Sequence, residues 1–254
     1  MTESSDSPRT VLITGAGRGI GAATARLAAR AGYRVCINYA ADDASAQQVV
    51  ADCRACGVDA IAVKADVAAP ADVERLFLTC ERDLGRVTHL VNNAGIIGAP
   101  ARVEDIAAAT VHAVLAVNVA GAIFCAQQAI RRMSNERGGR GGVIVNVSSI
   151  AAVTGSPGEY VHYAASKAAL ETFTVGLARE VGPLGIRVNA VQPGTTATEI
   201  HARSGNPDRP AMVARIAPLR RVADADEVAE AILWLLSDRA AYVSGAVLKV
   251  TGGL

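Results

Sequence analysis

Two tyrosines and a lysine stand close together in the stretch YVHYAASKAAL, residues 160–170. Residues four apart lie one turn above each other on the same face of an α-helix, so Tyr163 can meet Lys167 and Tyr160 cannot. A phenol titrates near ~10 when unperturbed, and an ammonium beside it lowers that pKa. The pattern predicts a tyrosine that exchanges a proton with a substrate near neutral pH. The alternative is a surface pair or a half-buried core tyrosine.

The composition of the chain limits the kinds of function. The 254 residues are 51% hydrophobic, which is enough for one large α/β domain with a sizeable core. Lysines and arginines (25) nearly balance aspartates and glutamates (24), so the net charge of +1 gives no reason to expect nucleic acid or an anionic membrane as partner. The five cysteines are odd in number and scattered, which predicts reduced thiols in a cytoplasm.

Three segments carry weaker signals. Residues 1–9 are predicted to be a disordered tail, since no basic region is followed by an apolar run. Residues 106–130 carry no charge over a length that could span a bilayer, but alanine supplies much of their apolarity. We predict a helix buried in the protein or in a subunit interface, and no membrane partner. Cys53 and Cys56 form a lone C-x-x-C, so no metal site is predicted.

Short runs rich in β-branched residues alternate with longer alanine-rich stretches of helical periodicity. This pattern is typical of a parallel sheet covered by helices on both faces, as in a doubly wound α/β (Rossmann) fold. No repeat and no linker divides the chain, so a single domain is predicted over 10–254. The seven predicted strands are 10–15, 34–39, 60–66, 88–95, 142–149, 186–194 and 246–253.

A glycine-rich turn, TGAGRGIG (14–21), follows the first predicted strand. Glycine lets the backbone turn tightly and approach a ligand, and the helix that follows offers unpaired N–H groups to a phosphate. The turn therefore predicts a pyrophosphate site, with a plain turn as the alternative. Its spacing, G-x-x-x-G-x-G, differs from the dinucleotide fingerprint G-x-G-x-x-G.

Four motifs together resemble the short-chain dehydrogenase/reductase family. They are TGxxxGIG after the first strand, NNAG (92–95) after the fourth, Ser149 closing the fifth, and YxxxK (163–167) fourteen residues later. The similarity also includes Asn118, GIRVNAVQPG (185–194) and the terminal SG…TGG, so it covers nearly the whole chain. Within the family the chain resembles a bacterial branch of glucose-dehydrogenase-like or uncharacterised oxidoreductases.

The resemblance implies a catalytic tetrad of Asn118, Ser149, Tyr163 and Lys167. Tyr163 would give its proton to a carbonyl oxygen, or take it back during oxidation, as a general acid–base. Ser149 would hydrogen-bond the same oxygen and orient it. Lys167 would lower the pKa of the phenol and hold the nicotinamide ribose. Asn118 would interrupt the hydrogen bonds of its helix and hold a water that links Lys167 to solvent.

The resemblance also implies a nicotinamide cofactor, and the residues favour NADP(H) over NAD(H). NAD-preferring sites often carry an acidic residue at the end of the second strand, whereas this strand has Asn38 there. Asp42 or Asp43, shortly after the strand, could still take the place of that acid. Arg18 stands where the family often meets the 2′-phosphate. The residues assigned to the cofactor are Gly15, Arg18, Gly19, Ile20, Gly21, Asn38, Asp66, Val67, Asn92, Ala94, Gly95, Tyr163, Lys167, Pro193, Gly194 and Thr198.

Substrate selection is predicted to lie in two loops beyond the carboxyl ends of the strands. They are residues 151–162 and residues 195–221, whose Gly, Asn, Pro and Asp content predicts a lid. Glu159 and Tyr160 would suit a polar substrate such as a sugar, whereas nearby alanines and isoleucines would suit an apolar ketone. His162 is expected to pack or to lie at the substrate's edge. In the lid, Thr198 is equally suited to cap a helix over 199–205.

The sequence thus predicts an NADP(H)-dependent carbonyl reductase or alcohol dehydrogenase that acts on a small molecule. One alternative is a regulator that senses NADPH without turnover, which the intact tetrad disfavours. Another is an S-adenosylmethionine methyltransferase, which would have no use for Tyr163 and Lys167. The helix over 106–130 and the helix after Tyr163 resemble the pair that joins subunits in family tetramers, so a homo-oligomer, tetramer or dimer, is expected.

Overall fold

The seven predicted strands all form, in the predicted order. The computed structural model describes residues 9–199, 205 and 208–254, and each predicted run contains one strand. Apart from Arg34–Tyr39, which equals its predicted run, the strands are shorter than the runs at their carboxyl ends, where the chain turns away from the sheet. They are β1 (Thr10–Ile13), β2 (Arg34–Tyr39), β3 (Ala60–Lys64), β4 (His89–Asn92), β5 (Gly142–Val147), β6 (Ile186–Pro193) and β7 (Val247–Val250).

The strands make one parallel sheet in the order β3-β2-β1-β4-β5-β6-β7. The order reverses between β1 and β4, where Ile13 pairs with Val91 on one side and Ile37 on the other. In such sheets a crevice opens beyond the carboxyl ends of the strands at the reversal. The topology therefore confirms the predicted doubly wound fold and fixes where a ligand can enter.

Helices cover both faces of the sheet because successive strand residues point to opposite sides. The helices are α1 (Gly19–Arg30), α2 (Asp43–Arg54), α3 (Pro70–Leu84), α4 (Ala108–Leu115), α5 (Ala122–Met133), α6 (Ala151–Thr154), α7 (Val161–Val181), α8 (Arg209–Ile216) and α9 (Ala225–Leu236). In β1, fully buried Leu12 packs with α3, α5 and α7, whereas Ile13 packs with α1, α2 and α9.

A π-helical turn, Ala116–Gly121, joins α4 to α5, so Ala108–Met133 is one continuous helical stretch. Such turns are frequent at functional sites, and this one contains Asn118. The stretch also approaches the loop after β3 closely, since a Cβ on Gly121 would lie 2.9 Å from Cγ2 of Val67. The π turn therefore holds the helix against the edge of the crevice.

The same stretch is the one helix among the described residues that is long and apolar enough to cross a membrane, by length and composition alone. The mean hydropathy of its most apolar 18-residue window is 1.9, and 28% of that window is buried in the protomer. The predicted burial within the protein therefore holds for one side of the helix, and cover by a subunit interface stays a prediction. One side, with Cys125 and Ala129, packs under the sheet, whereas Leu115 remains 42% exposed.

The predicted tail overlaps the domain at one residue. The carbonyl oxygen of Arg9 accepts a hydrogen bond from the amide of Arg34, and the Arg9 guanidinium pairs with Asp238 at 2.6 Å. Arg9 therefore belongs to the sheet's amino edge. Residues 1–8 lie outside the described part of the chain.

Candidate active site

A cavity of about 670 Å³ opens at the carboxyl ends of the strands. Its size lies within the ~300–1,000 Å³ of typical ligand pockets. Of the residues assigned to the cofactor, all but Gly21 and Asn92 line this cavity, and Ser149 joins them. The lining members of the predicted set are Gly15, Arg18, Gly19, Ile20, Asn38, Asp66, Val67, Ala94, Gly95, Tyr163, Lys167, Pro193, Gly194 and Thr198.

The glycine-rich turn brings backbone amides to one end of the cavity. Gly15 and Gly19 adopt φ of 61° and 55°, a region that side chains disfavour. A Cβ on Gly15 would lie 2.9 Å from Cα of Ala94, so the turn meets the loop after β4 directly. Helix α1 begins at Gly19 with no side-chain cap and no acid in its first turn. Its free N–H groups and positive dipole end suit a pyrophosphate.

Gly21 serves packing instead of lining the cavity. A Cβ there would lie 2.5 Å from Nδ2 of Asn93 and 2.8 Å from the carbonyl oxygen of Gly15. Only a residue without a side chain lets α1 sit this close to the turn. Gly21 thus fixes the direction of the helix whose amino end faces the cavity.

Asn92 is buried beneath the cavity, contrary to the prediction that it lines the cofactor. Its amide donates to the carbonyl oxygen of Ala122 at 3.1 Å and to Oδ1 of Asn146 at 2.9 Å. The next residue, Asn93, lines the cavity and donates to the carbonyl oxygens of Thr14 and Gly15. Strand alternation through NNAG could have separated the two asparagines.

Asn38 lines the cavity, but the polar atoms of its side chain form hydrogen bonds within the protein. Its Oδ1 accepts the amide of Gly15 at 3.2 Å, and its Nδ2 donates to the carbonyl oxygens of Val63 and Ala65. The side chain is 2% exposed. Asn38 therefore ties β2 to the glycine turn and to β3.

Arg18 stands at the mouth of this end of the cavity, with 46% of its side chain exposed. Its Nη1 lies 3.9 Å from Oδ2 of Asp42, which also caps α2 by accepting the amide of Ser45. Asp43 accepts a 2.5 Å hydrogen bond from the hydroxyl of Tyr39. Both acids noted in the sequence are thus engaged in local contacts, Asp42 with Arg18 and Ser45 and Asp43 with Tyr39.

Helix α7 presents Tyr163 and Lys167 to the opposite end of the cavity. Nζ of Lys167 lies 5.7 Å from the ring centroid of Tyr163 and donates to the carbonyl oxygen of Val147 at 2.8 Å. Val147 ends β5, so the strand and the helix together fix the ammonium. The i,i+4 pairing expected from the sequence is therefore present in the wall of the cavity.

Burial dominates the pKa values of this pair. The pKa of Lys167, which is 4% exposed, is lowered to about 8 by burial, against an opposing effect of Glu171. Burial likewise raises the pKa of Tyr163, partly offset by its hydrogen bond to Ser149 and by the charge of Arg209. The expected net lowering of the phenol pKa is not found, because burial is the largest influence on this group and raises its pKa.

Ser149 follows the end of β5, and its side chain lies beside the phenol of Tyr163 and opposes the rise in the pKa of that phenol. Its Oγ also accepts the amide of Ala151 at 3.2 Å. The preceding Ser148 donates to Oε1 of Glu171 at 2.7 Å, away from the phenol. The two serines thus face different groups, and Ser149 is the one joined to Tyr163.

Asn118 lies in the π turn, 1% exposed, and does not line the cavity. Its side chain bonds both backbone groups of Ile96 at 2.9 Å and donates to Oγ of Ser166 at 3.0 Å. A Cβ on Gly95 would lie 3.3 Å from Nζ of Lys167 and 3.4 Å from Oδ1 of Asn118. Asn118 therefore fixes the loop after β4 beside Lys167. The water link to solvent stays a prediction.

Two further sequence expectations concern the mouth of the cavity. Thr198 lies over the glycine turn, since its Cγ2 would be 3.3 Å from a Cβ on Gly19. The helix that Thr198 was alternatively expected to cap falls mostly on residues outside the described ranges. His162 is 8% exposed, does not line the cavity, and bonds the carbonyl oxygen of Ile97 through Nε2 at 2.9 Å. Its role is packing.

Arg209 is a cavity residue that the sequence reading missed. It begins α8 in the predicted lid and forms an ion pair with Glu159. The two residues are fifty positions apart, and no local pattern connects them. In the described part of the chain, no group of three or more His, Cys, Asp or Glu could hold a metal ion.

The sequence matches the family model described as Enoyl-(Acyl carrier protein) reductase over residues 15–254. A short-chain dehydrogenase from Burkholderia cenocepacia J2315, solved in complex with NADP, superposes with a TM-score of 0.88 at 36% identity, over 96% of this chain and 97% of that one. The chain belongs to the short-chain dehydrogenase/reductase family.

Two curated members of the short-chain dehydrogenase/reductase family are also similar over nearly their whole length. The uncharacterized oxidoreductase YgfF of Escherichia coli (strain K12) is 46% identical over 95% of this chain and 98% of its own. The L-rhamnose 1-dehydrogenase (NAD(P)(+)) of Sphingomonas sp. (strain SKA58) is 43% identical over 97% and 96%. The protein is accordingly an NAD(P)-dependent oxidoreductase of this family, and a nucleotide sensor or a methyltransferase is not favoured.

Proposed function

We propose that this protein interconverts a carbonyl and an alcohol with NADP(H), and that Tyr163 is its general acid–base. The observation that carries the proposal is the phenol of Tyr163, beside Ser149 and with Lys167 one turn away, in the wall of the cavity. The uncapped amides of α1 and the close backbone approach at Gly15 suit the pyrophosphate of a dinucleotide. Lys167 suits the ribose of its nicotinamide, which would then lie near Tyr163.

Each residue has a task that its surroundings support. The bound nicotinamide would supply or accept the hydride. Because burial raises its pKa, Tyr163 holds its proton at neutral pH and can donate it to a carbonyl oxygen. Ser149 shares a hydrogen bond with the phenol and can hold the same oxygen. Lys167 would bind the ribose hydroxyls, and Asn118 keeps the loop after β4 in place.

The proposal is tested by following NADPH absorbance with ketones, aldehydes, sugars, quinones and acyl thioesters. Substrate-dependent NADPH oxidation by the purified protein is the expected result. Binding of NADPH without turnover of any carbonyl or alcohol, in either direction, would instead favour the sensor.

We infer a preference for NADP(H) from Arg18, with no acid at the end of β2 and Asp42 and Asp43 already engaged. A charge-assisted hydrogen bond contributes about 1.5–3 kcal/mol, so Arg18→Ala should raise KM for NADPH by roughly 10- to 100-fold. KM for NADH should change little, because NADH lacks the 2′-phosphate.

Steady-state kinetics with both cofactors check this expectation. Arg26→Ala is the matched control, since Arg26 pairs with Asp52 on α2 and does not line the cavity. Equal losses with NADPH and NADH in Arg18→Ala would contradict the assignment.

We also propose that the protein is a homo-oligomer whose interface includes Ala108–Met133 and the neighbouring α7. Only 28% of the most apolar window of this stretch is buried in the protomer, and Ala165 and Ala169 are exposed on α7. Exposure of an apolar helix face to water is unfavourable, and packing against a second copy of the chain would bury it.

Light scattering at micromolar concentration should therefore give the mass of a dimer or a tetramer. Leu115→Glu, on the exposed part of α4, should lower that mass, whereas Leu78→Glu, at 55% exposure on α3, should not. A monomeric wild-type protein would contradict the proposal.

We propose a cytoplasmic location on the basis of the thiols. All five cysteines are free, and four of them are buried. Reduced thiols are usual in the cytosol, where disulfides rarely persist. The proposed partners are a small carbonyl or alcohol substrate and further copies of the chain, with neither nucleic acid nor membrane.

A further inference from the structure

Tyr160 lines the cavity and carries a buried hydroxyl that lacks a hydrogen-bond partner among the described residues. Its side chain is 2% exposed and lines the cavity, and within the described residues its hydroxyl has no hydrogen-bond partner. An unpaired buried hydroxyl costs about 1–3 kcal/mol. Tyr160 is the N-cap residue of α7, three positions before Tyr163. The unpaired hydroxyl thus belongs to the residue that starts the catalytic helix.

Arg209 covers Tyr160 from the lid. Its guanidinium carbon lies 5.5 Å from the ring centroid of Tyr160, and its charge contributes to the pKa of Tyr163, so it lies near both phenols. Arg209 also lines the cavity and forms an ion pair with Glu159. Because Glu159 compensates the guanidinium, Arg209 offers hydrogen bonds here without adding a net charge.

Ser156 holds the turn that leads into Tyr160. It has φ of 43°, lines the cavity at 8% exposure, and its carbonyl oxygen accepts the amide of Tyr160 at 3.0 Å. A non-glycine residue in this region costs of order 1–3 kcal/mol, and such residues cluster at ligand sites. The strained turn fixes the direction of Tyr160.

We propose that Tyr160, with Arg209 and Ser156 around it, is a second oxygen-binding subsite beside Tyr163. The substrate it fits is a neutral molecule with several hydroxyl groups, such as an aldose, whose reacting oxygen lies at Tyr163 and Ser149. A simple ketone would leave the Tyr160 hydroxyl unpaired, and an anion would find the Arg209 guanidinium already paired with Glu159. This inference rests on the proposed function and names its substrate class.

The first test compares the best aldose of a set of pentoses and hexoses with its monodeoxy analogues. Wild-type kcat/KM should fall by roughly 3- to 10-fold for at least one analogue, the value of one neutral hydrogen bond. In Tyr160→Phe, kcat/KM for the parent aldose should fall while kcat/KM for that analogue stays the same, so the preference should disappear. Tyr33→Phe is the control, since Tyr33 is equally buried at 2% and does not line the cavity.

A preference that survives in Tyr160→Phe would overturn the subsite. Turnover of simple ketones but of no aldose would overturn it while leaving the proposed function standing. Calorimetry of the aldose with the NADP-loaded Tyr163→Phe protein adds a readout without turnover. Binding that weakens when Tyr160→Phe is added supports the subsite, and absence of binding overturns it even if no substrate is ever turned over.

The second test concerns charge compensation. Glu159→Gln leaves Arg209 without its counter-charge, so an anionic sugar should become a better ligand. The kcat/KM ratio of D-glucuronate to D-glucose should rise by about 2- to 5-fold, the scale of a partly exposed ion pair. An unchanged ratio would contradict the neutral character assigned to the subsite.

Discussion

Replacement of Tyr163 by phenylalanine is expected to lower kcat by about 10²- to 10⁴-fold, the usual contribution of general acid–base catalysis. The phenol is the titratable group beside Ser149 in the cavity wall, and the substitution removes one oxygen from a ring that keeps its packing. Affinity for NADPH, measured by fluorescence titration, should change little. Single-turnover kinetics check that the lost step is chemistry and not product release.

The control for this substitution is again Tyr33→Phe, which removes a hydroxyl from a ring packed edge-on against His89, away from the cavity. Its kcat should stay near the wild-type value. Retention of more than about a tenth of wild-type kcat in Tyr163→Phe would place the proton transfer on another group, because acid–base catalysis supplies at least 10²-fold.

Replacement of Lys167 by methionine is expected to abolish turnover and to stabilise the protein at neutral pH. Burial lowers the pKa of Lys167 from 10.5 to about 8, so the unfolded chain binds this proton more tightly than the folded chain does. At 1.36 kcal/mol per pKa unit, the buried charge costs ~3 kcal/mol at pH 7. The lost hydrogen bond to Val147 offsets about 1 kcal/mol of the gain. A net stabilisation of ~2 kcal/mol at pH 7 follows.

The pH dependence separates this effect from ordinary repacking. The cost of the Lys167 charge is complete below pH 8 and declines as pH rises from about 8 to 10.5, where the folded lysine is neutral and the unfolded one still carries its proton. The stability gained by Lys167→Met should therefore shrink from pH 7 to pH 9.5 in urea titrations of the cofactor-free proteins. A difference that is constant with pH would contradict the buried charge.

The sheet could be predicted in detail because its signal is local. Fully buried parallel strands appear as short apolar runs, and each of the seven runs became a strand. The alternation that sends Leu12 and Ile13 to opposite faces is a property of any strand. The same rule, applied to Asn92 and Asn93, would have moved the cavity contact by one residue.

The parts that could not be predicted depend on distant residues. Spacing along a helix predicts that Tyr163 and Lys167 lie close together, but it does not predict how deeply they are buried. Burial raises the pKa of the phenol, whereas the sequence analysis expected a lowered pKa. The pair of Arg209 and Glu159 forms only when the lid returns to the loop before α7. Apolarity likewise could not tell whether Ala108–Met133 is covered by its own chain or by another copy.

The central claim is tested most directly by measuring NADPH oxidation with the best carbonyl substrate, for wild-type protein and Tyr163→Phe side by side, at matched cofactor occupancy. Rapid substrate-dependent oxidation by the wild type, with at least a ~10²-fold loss in the variant while both bind NADPH, is the predicted result. Equal rates in the two proteins would contradict the role of Tyr163.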